Sequence, residues 1–188
     1  MDTVIAYMKS QPPSEPEELM RIDPDAARAG RELHHAQRRA IGLLPATQDT
    51  DVLAAAEKLG RALAFVTGAL VLVFDAERKT PELPPEGGHF IAVPVTANLV
   101  ALAPKNRAPT GDKVRAITQL RDFVGGADFY GALIDLSGCA WPGELATAVS
   151  TLDAVLLVGQ AGKTTEKDLR ARARPVPPEL MLGVLLLD

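Results

Sequence analysis

Two aspartates and one glycine-lysine turn are the residues of this sequence best placed to do chemistry. Asp75 and Asp135 each fall at the end of an apolar stretch, ALVLVFD at 69–75 and YGALIDLSG at 130–138. In open parallel sheets the carboxyl ends of such strands are where ligands sit. Together the two carboxylates could hold a magnesium ion, but with weak affinity unless phosphate oxygens complete its shell. The turn, GQAGKTT at 159–165, follows an apolar run and precedes a helical stretch, as a phosphate-binding loop does. That loop needs four residues between its first glycine and the Gly-Lys-Ser/Thr, so that its backbone amides can wrap a phosphate. Counting back from Gly162, the first glycine should stand where Leu157 is, and the nearest one is Gly159. The loop is two residues too short, so the stretch is expected to be a turn with Thr164 or Thr165 capping the next helix.

Other candidates are weaker. His34 and His35 are adjacent, and on a helix adjacent side chains diverge by about 100°, so with Glu32 they predict a solvated face rather than a metal site. Cys139 lies just past a strand end beside Trp141 and Pro142, with no histidine after it in the sequence, which predicts a packed thiol rather than a nucleophile. Residues 163–174 carry five basic side chains against Glu166 and Asp168. Such a stretch is either a solvated helix or, through Arg170, Arg172 and Arg174, a docking face for an acidic partner.

The elements that must position these residues are legible in the pattern. The 188 residues are 47% hydrophobic and 23% charged, an ordinary balance for one globular domain. Aromatics make up only 4% and the net charge is −4, which argues against a nucleic-acid partner. One cysteine and the lack of a basic-then-apolar leader predict a cytoplasmic protein. The longest apolar run, 62–74, is interrupted by Thr67 and Gly68 and is shorter than the roughly 20 residues of a membrane helix, so no direct membrane insertion is expected. Residues 1–25, with Pro12, Pro13, Pro16, Pro24 and six acidic side chains, predict an irregular lead-in with a short segment around Val4 to Met8 that docks. Residues 26–188 then form a single domain. Helices are predicted over 25–40, 52–66, 112–124, 143–152 and 164–173, and strands at 41–46, 69–75, 91–96, 98–104, 130–135, 153–160 and 182–188. Residues 77–88 are expected to be a loop. Strands apolar throughout and alternating with helices predict an α/β fold, a mostly parallel central sheet with helices on both faces.

The stretches KLGRALAFVTGALVLVFDAERKTPEL, YGALIDLSG and DAVLLVGQAGKTTEKDLRARARPVPPELMLGVLLLD together resemble the ATPase domain of the ParA/MinD type, most closely as found in the bacterial tyrosine kinases of polysaccharide export. The resemblance covers roughly 41–188 and implies a three-layer fold of the P-loop ATPase kind. In that family a strand ends in Asp-x-Asp-x-Arg, where this sequence has Asp75-Ala76-Glu77-Arg78-Lys79 with Glu for the second Asp and Lys for the Arg, and another ends in Asp-x-x-Pro, where only Asp135 is kept. The late turn at 159–165 matches an ordinary turn of these proteins, distinct from their phosphate loop. That loop should fall at 45–53, PATQDTDVL, which has no glycine and no lysine. Val52 stands at the catalytic-lysine position and Leu53 at that of the magnesium-binding hydroxyl. Asp49 and Asp51 put negative charge where a triphosphate would sit, and are expected to cap the following helix instead. Glu32-x-x-His35-x-x-Arg38 is one substitution from the family's Glu-x2-Arg-x2-Arg oligomerisation pattern. No tyrosine cluster stands near residue 188.

These features predict a catalytically inactive pseudo-ATPase or pseudokinase domain with no catalytic residue, cofactor or metal. Asp49, Asp51, Val52, Asp75, Glu77 and Asp135 mark the degenerate site. The expected role is a protein-interaction scaffold or regulatory subunit, by analogy in polysaccharide export or in positioning a cell-surface machine. The partner would be another protein: an active paralogous ATPase, a component of a membrane complex, or a second copy. The rival interpretation is an atypical ATP- or GTP-binding switch of the ParA/MinD type using Asp75 and Asp135.

Overall fold

The computed structural model describes residues 22–75, 90–104, 110–124, 129–139 and 141–187. The predicted loop at 77–88, the docking segment around Val4 to Met8, and Glu77 lie outside them. In chain order the elements are α1 (Pro24–His35), β1 (Ala40–Pro45), α2 (Val52–Thr67), β2 (Leu70–Phe74), β3 (Phe90–Thr96), β4 (Leu99–Pro104), α3 (Thr110–Val124), β5 (Phe129–Asp135), α4 (Pro142–Val149), β6 (Ala154–Gln160), α5 (Glu166–Ala173), a 3-10 turn (Pro178–Leu180) and β7 (Met181–Leu187).

The seven strands form one sheet in the order β3-β4-β2-β5-β1-β6-β7. Every pairing is parallel except that of the consecutive strands β3 and β4, which are joined directly without a crossover helix. β1, β2 and β6 are apolar at nearly every position because both of their faces are covered. On one face Val71, Val73, Ile41, Leu43 and Leu133 pack under Leu33 of α1 and the Val52, Ala56, Leu59 and Leu63 stripe of α2. On the other, Leu72, Phe74, Leu44, Ala132 and Ile134 pack under α3 and α4, through Ile117, Leu120, Leu145 and Val149. Each fully buried leucine contributes about 1.5–3 kcal/mol relative to exposure. The expected α/β architecture is therefore observed, with helices on both faces of the sheet.

Two expectations need correction. Not every strand is covered on both faces. Along β7 burial alternates, and Leu182, Val184 and Leu186 are 38%, 45% and 55% exposed. An edge strand can be apolar on both faces and still keep one of them open, because no helix of the described residues lies over it. The first helix also stops sooner than the composition implies. α1 ends at His35, and Gln37 takes φ 53, a left-handed conformation. The Gln37 N–H bonds to the His34 carbonyl at 3.1 Å and the Arg38 N–H to the Leu33 carbonyl at 3.4 Å, the six-residue closure of a Schellman motif. The chain must reverse here to enter β1, and that geometry outweighs the helix propensity of AQRRA.

At the other end of α1 the Asp23 carboxylate accepts from the Asp25 amide at 2.9 Å and the Ala26 amide at 3.0 Å, and lies 3.6 Å from Lys58. The Ala26 hydrogen bond is the main cause holding Asp23 below the usual aspartate range. A depressed folded value means that the folded state binds fewer protons than the unfolded one. The cap therefore stabilises fully above the ordinary aspartate value of about 3.9 and loses that contribution as pH falls from there through the lower folded value. Asp23→Ala should cost about 1 kcal/mol in urea unfolding at pH 7, and the gap from the parent should close towards pH 3. A gap that does not change with pH would contradict this assignment.

Candidate functional site at the carboxyl edge of the sheet

Register brings the two aspartates together. Phe74 pairs with Ile134 and Leu43 with Asp135, so Asp75 and Asp135 lie level on neighbouring strands, about 4.8 Å apart across the ladder, next to the end of β1. Alternation along β2 and β5 puts both on the α2 face, with Val73 and Leu133. Asp75 is only 6% exposed and its amide bonds to the Leu102 carbonyl at 3.0 Å. Asp135 turns one oxygen back on its own turn: Oδ1 accepts from the Ser137 amide at 2.8 Å and the Ser137 hydroxyl at 2.6 Å.

Residues 45–51 join β1 to α2 at this edge, and Thr47 and Thr50 hydrogen-bond to each other within the loop. Pro45 has no N–H. The Ala46 amide bonds to the Val158 carbonyl at 2.8 Å, and the Thr47 and Thr50 hydroxyls lie 2.9 Å apart. The Thr50 amide donates to the Thr47 carbonyl at 3.2 Å, which leaves Thr50 buried under the loop. Asp51 caps α2, its Oδ1 accepting from the Ala54 amide at 3.0 Å. Asp49 shares no such bond and is exposed, so of the two expected caps only Asp51 has that role. A carboxylate of the chain itself thus lies at the positive end of the helix. Val52 is buried as the first residue of α2 and packs in the core.

The GQAGKTT turn spends its amides on the protein as well. Ala161 donates to the Leu187 carbonyl at 2.7 Å, Lys163 and Thr164 both donate to the Gln160 carbonyl at 3.1 and 2.9 Å, and Thr165 donates to Asp168 at 3.0 Å. Gly162 takes φ 72 to close the turn. The two threonines divide the expected roles. Thr164 accepts from the Gln160 amide at 2.8 Å, while Thr165 caps α5 by accepting from the Asp168 amide at 3.2 Å. The Thr165 hydroxyl, and then its amide, hold the Asp168 carboxyl below its usual range.

On α5, Glu166 is engaged by Arg170, 2.6 Å away. Arg172 reaches 127 residues back along the sequence to donate from Nε to the Pro45 carbonyl at 3.2 Å, tying the basic helix to the β1–α2 loop. No local pattern could have revealed that contact, since it depends on β1 and β6 being neighbours. Arg174 is the exposed C-cap of α5. Cys139 is buried. His34 is exposed and its ring lies 5.4 Å from that of Tyr130. Arg38 falls beyond the end of α1, so Glu32, His35 and Arg38 do not share one helical face. Among the described residues no group of three or more His, Cys, Asp or Glu side chains could hold a metal ion, and no helix is long and apolar enough to cross a membrane.

No family model matches the chain, and no curated protein matches it. Solved structures do. The chain is similar to the BceF tyrosine kinase domain, with a TM-score of 0.61 and 17% identity over 86% of this chain and 73% of that one. It is also similar to the kinase domain of the Escherichia coli tyrosine kinase ETK, with a TM-score of 0.63 and 16% identity over 86% of this chain and 74% of that one. At these identities the likeness carries the fold: this chain has the mostly parallel α/β fold of these tyrosine kinase domains.

Proposed function

We propose that the chain is a catalytically inactive member of this fold, a pseudo-ATPase or pseudokinase domain acting as a protein-interaction scaffold or regulatory subunit. The observation that supports it is the β1–α2 loop. In a phosphate loop, converging amides, a lysine and a magnesium-binding hydroxyl hold the triphosphate. Here residues 45–53 contain neither glycine nor lysine, and the Asp51 carboxylate caps the helix end. At about 4 Å and an effective dielectric near 20, such a charge opposes a phosphate by roughly 4 kcal/mol. The sheet around the site is intact, so what remains is a rigid body with surfaces to present.

The partner on this account is another protein, an active paralogous ATPase, a membrane-complex component or a second copy, met in the cytoplasm without nucleic acid. Arg170, Arg172 and Arg174 are the proposed contacts. Polysaccharide export or the positioning of a cell-surface machine follows by analogy of fold alone. The adjacent, level placement of Asp75 and Asp135 favours one alternative, a switch that holds magnesium nucleotide through both.

Capture from the source cell separates the two. The immobilised chain should retain a partner equally with magnesium ATP, with magnesium GTP, or with nucleotide removed, and R170E/R172E/R174E should weaken retention about tenfold or more. Retention that tracks nucleotide would support the switch. A reversed variant that keeps every partner would remove α5 as the contact.

A further inference from the structure

Between the start of α4 and the end of α5 lies a cavity of about 310 Å³ lined by Trp141, Pro142, Leu145, Arg172, Arg174 and Pro175, among others. That volume is at the small end of those that enclose an organic ligand. The indole, Leu145 and the two prolines give it apolar walls, and no acidic side chain of the described residues lines it. Trp141 is 70% exposed, which leaves its ring open to a ligand. The acids of α5 do not neutralise the two arginines. Glu166 is engaged by Arg170 at 2.6 Å and Asp168 by the Thr165 hydroxyl at 2.6 Å. Among the described residues neither Arg172 nor Arg174 pairs with a carboxylate.

Arg172 is half-buried, and the Pro45 carbonyl holds its Nε at 3.2 Å. That bond fixes the guanidinium and leaves its terminal nitrogens to donate to another acceptor. A planar head placed before binding loses little freedom on meeting a carboxylate or phosphate. The cavity also meets the first turn of α4 through Trp141 and Pro142, where the helix dipole adds positive potential. We propose that this cavity is a binding site for a small organic anion. Its flat apolar body lies against Trp141, Pro142 and Leu145, and its carboxylate or phosphate head meets Arg172 and Arg174. Neither part suffices alone: an uncharged ring leaves the guanidiniums unpaired, and a bare inorganic anion leaves the indole bare while salt screens its charge. The site does not depend on whether residues 45–53 hold a nucleotide. It goes beyond the scaffold reading and takes two of the three arginines proposed there as contacts, so its ligand competes with an acidic protein partner.

Trp141 is the sole tryptophan of the sequence, so tryptophan emission from the full chain reports on this cavity. Titration with phenyl phosphate and with benzoate should change that emission saturably, with a Kd of about 1 mM or tighter. The tighter of the two identifies the head group. Benzyl alcohol and inorganic phosphate should each bind at least about tenfold more weakly. R172Q and R174Q should each weaken the better probe about tenfold. Arg174 is exposed, so R174Q should keep the urea midpoint of the parent, which separates lost binding from lost folding. No saturable change with either probe would overturn the proposal, as would inorganic phosphate matching phenyl phosphate or binding left intact in both variants. If neither probe binds while R170E/R172E/R174E still releases a protein partner, this face serves a protein alone, and the small-anion site falls without the scaffold reading.

Discussion

Gly131→Ala is expected to lower stability by roughly 3 kcal/mol, read as a fall in the urea midpoint with an unchanged slope. A Cβ at this position in β5 would sit 2.5 Å from the Arg39 carbonyl oxygen and 3.2 Å from the Arg39 C and Cα atoms. The obstacle is backbone, so no side chain can rotate away to relieve it. Residue 39 cannot retreat either. Its amide and that of Ala40 both donate to the Asp153 carboxylate, at 3.1 and 2.9 Å, and its carbonyl accepts from Ala132 at 2.7 Å. Moving it would break the entry of β1 into the sheet at three points. Gly143→Ala, where an added Cβ meets nothing within 4 Å, serves as the control. It lies in α4 and should raise stability by up to about 1 kcal/mol. Equal midpoints for Gly131→Ala and the parent would mean that the β1–β5 contact is looser than described.

Much of this architecture was legible because core strands and core helices obey different periods. Val52, Ala56, Leu59, Leu63 and Val66 recur at helical spacing, and the first four are buried on the face of α2 that meets the sheet, while Val66 near its end is half-buried. Runs such as LVLVF and AVLLVGQ are apolar at almost every position, as strands covered on both sides must be. The same rule misled at β7. LGVLLLD at 182–188 reads as a buried strand, but whether an edge strand is covered depends on which helix the topology leaves over it, and sequence does not encode that locally. The end of α1 was hidden for a related reason. Nothing in AQRRA breaks a helix, and the left-handed turn at Gln37 is imposed by where β1 must begin.

At the candidate site, local chemistry was readable and long-range chemistry was not. The short spacing of Gly159 and Gly162 implied a turn, and the amides of Lys163 and Thr164 are indeed engaged in closing it. Asp51 announced itself as a cap by standing just before an apolar periodic run. By contrast, the Arg172 contact with Pro45 and the cavity beside Trp141 arise only when β1, β5 and β6 are laid side by side. Asp75 and Asp135 were each placed at a strand end from sequence. Their level pairing on adjacent strands is a property of the register.

The second large effect concerns nucleotide itself. A working phosphate loop of this fold holds magnesium triphosphate by amides directed at the phosphates, a lysine and a metal-bound hydroxyl. On the proposed reading residues 45–53, which contain neither glycine nor lysine, stand where that loop would be, and the Asp51 carboxylate is engaged by the Ala54 amide. Lys163 cannot substitute, because the amides of the short turn that carries it are bound to Gln160 and Leu187. Removing these contributions should weaken binding at least about a thousandfold, which at 1.4 kcal/mol per tenfold is a loss of about 4 kcal/mol. The direct test is titration calorimetry of the full chain with magnesium ATP and magnesium GTP. The account predicts no heat of binding at millimolar nucleotide. A micromolar affinity abolished by Lys163→Ala would contradict it and make the GQAGKTT turn a phosphate loop, and one abolished by Asp75→Asn or Asp135→Asn would make the chain a nucleotide switch.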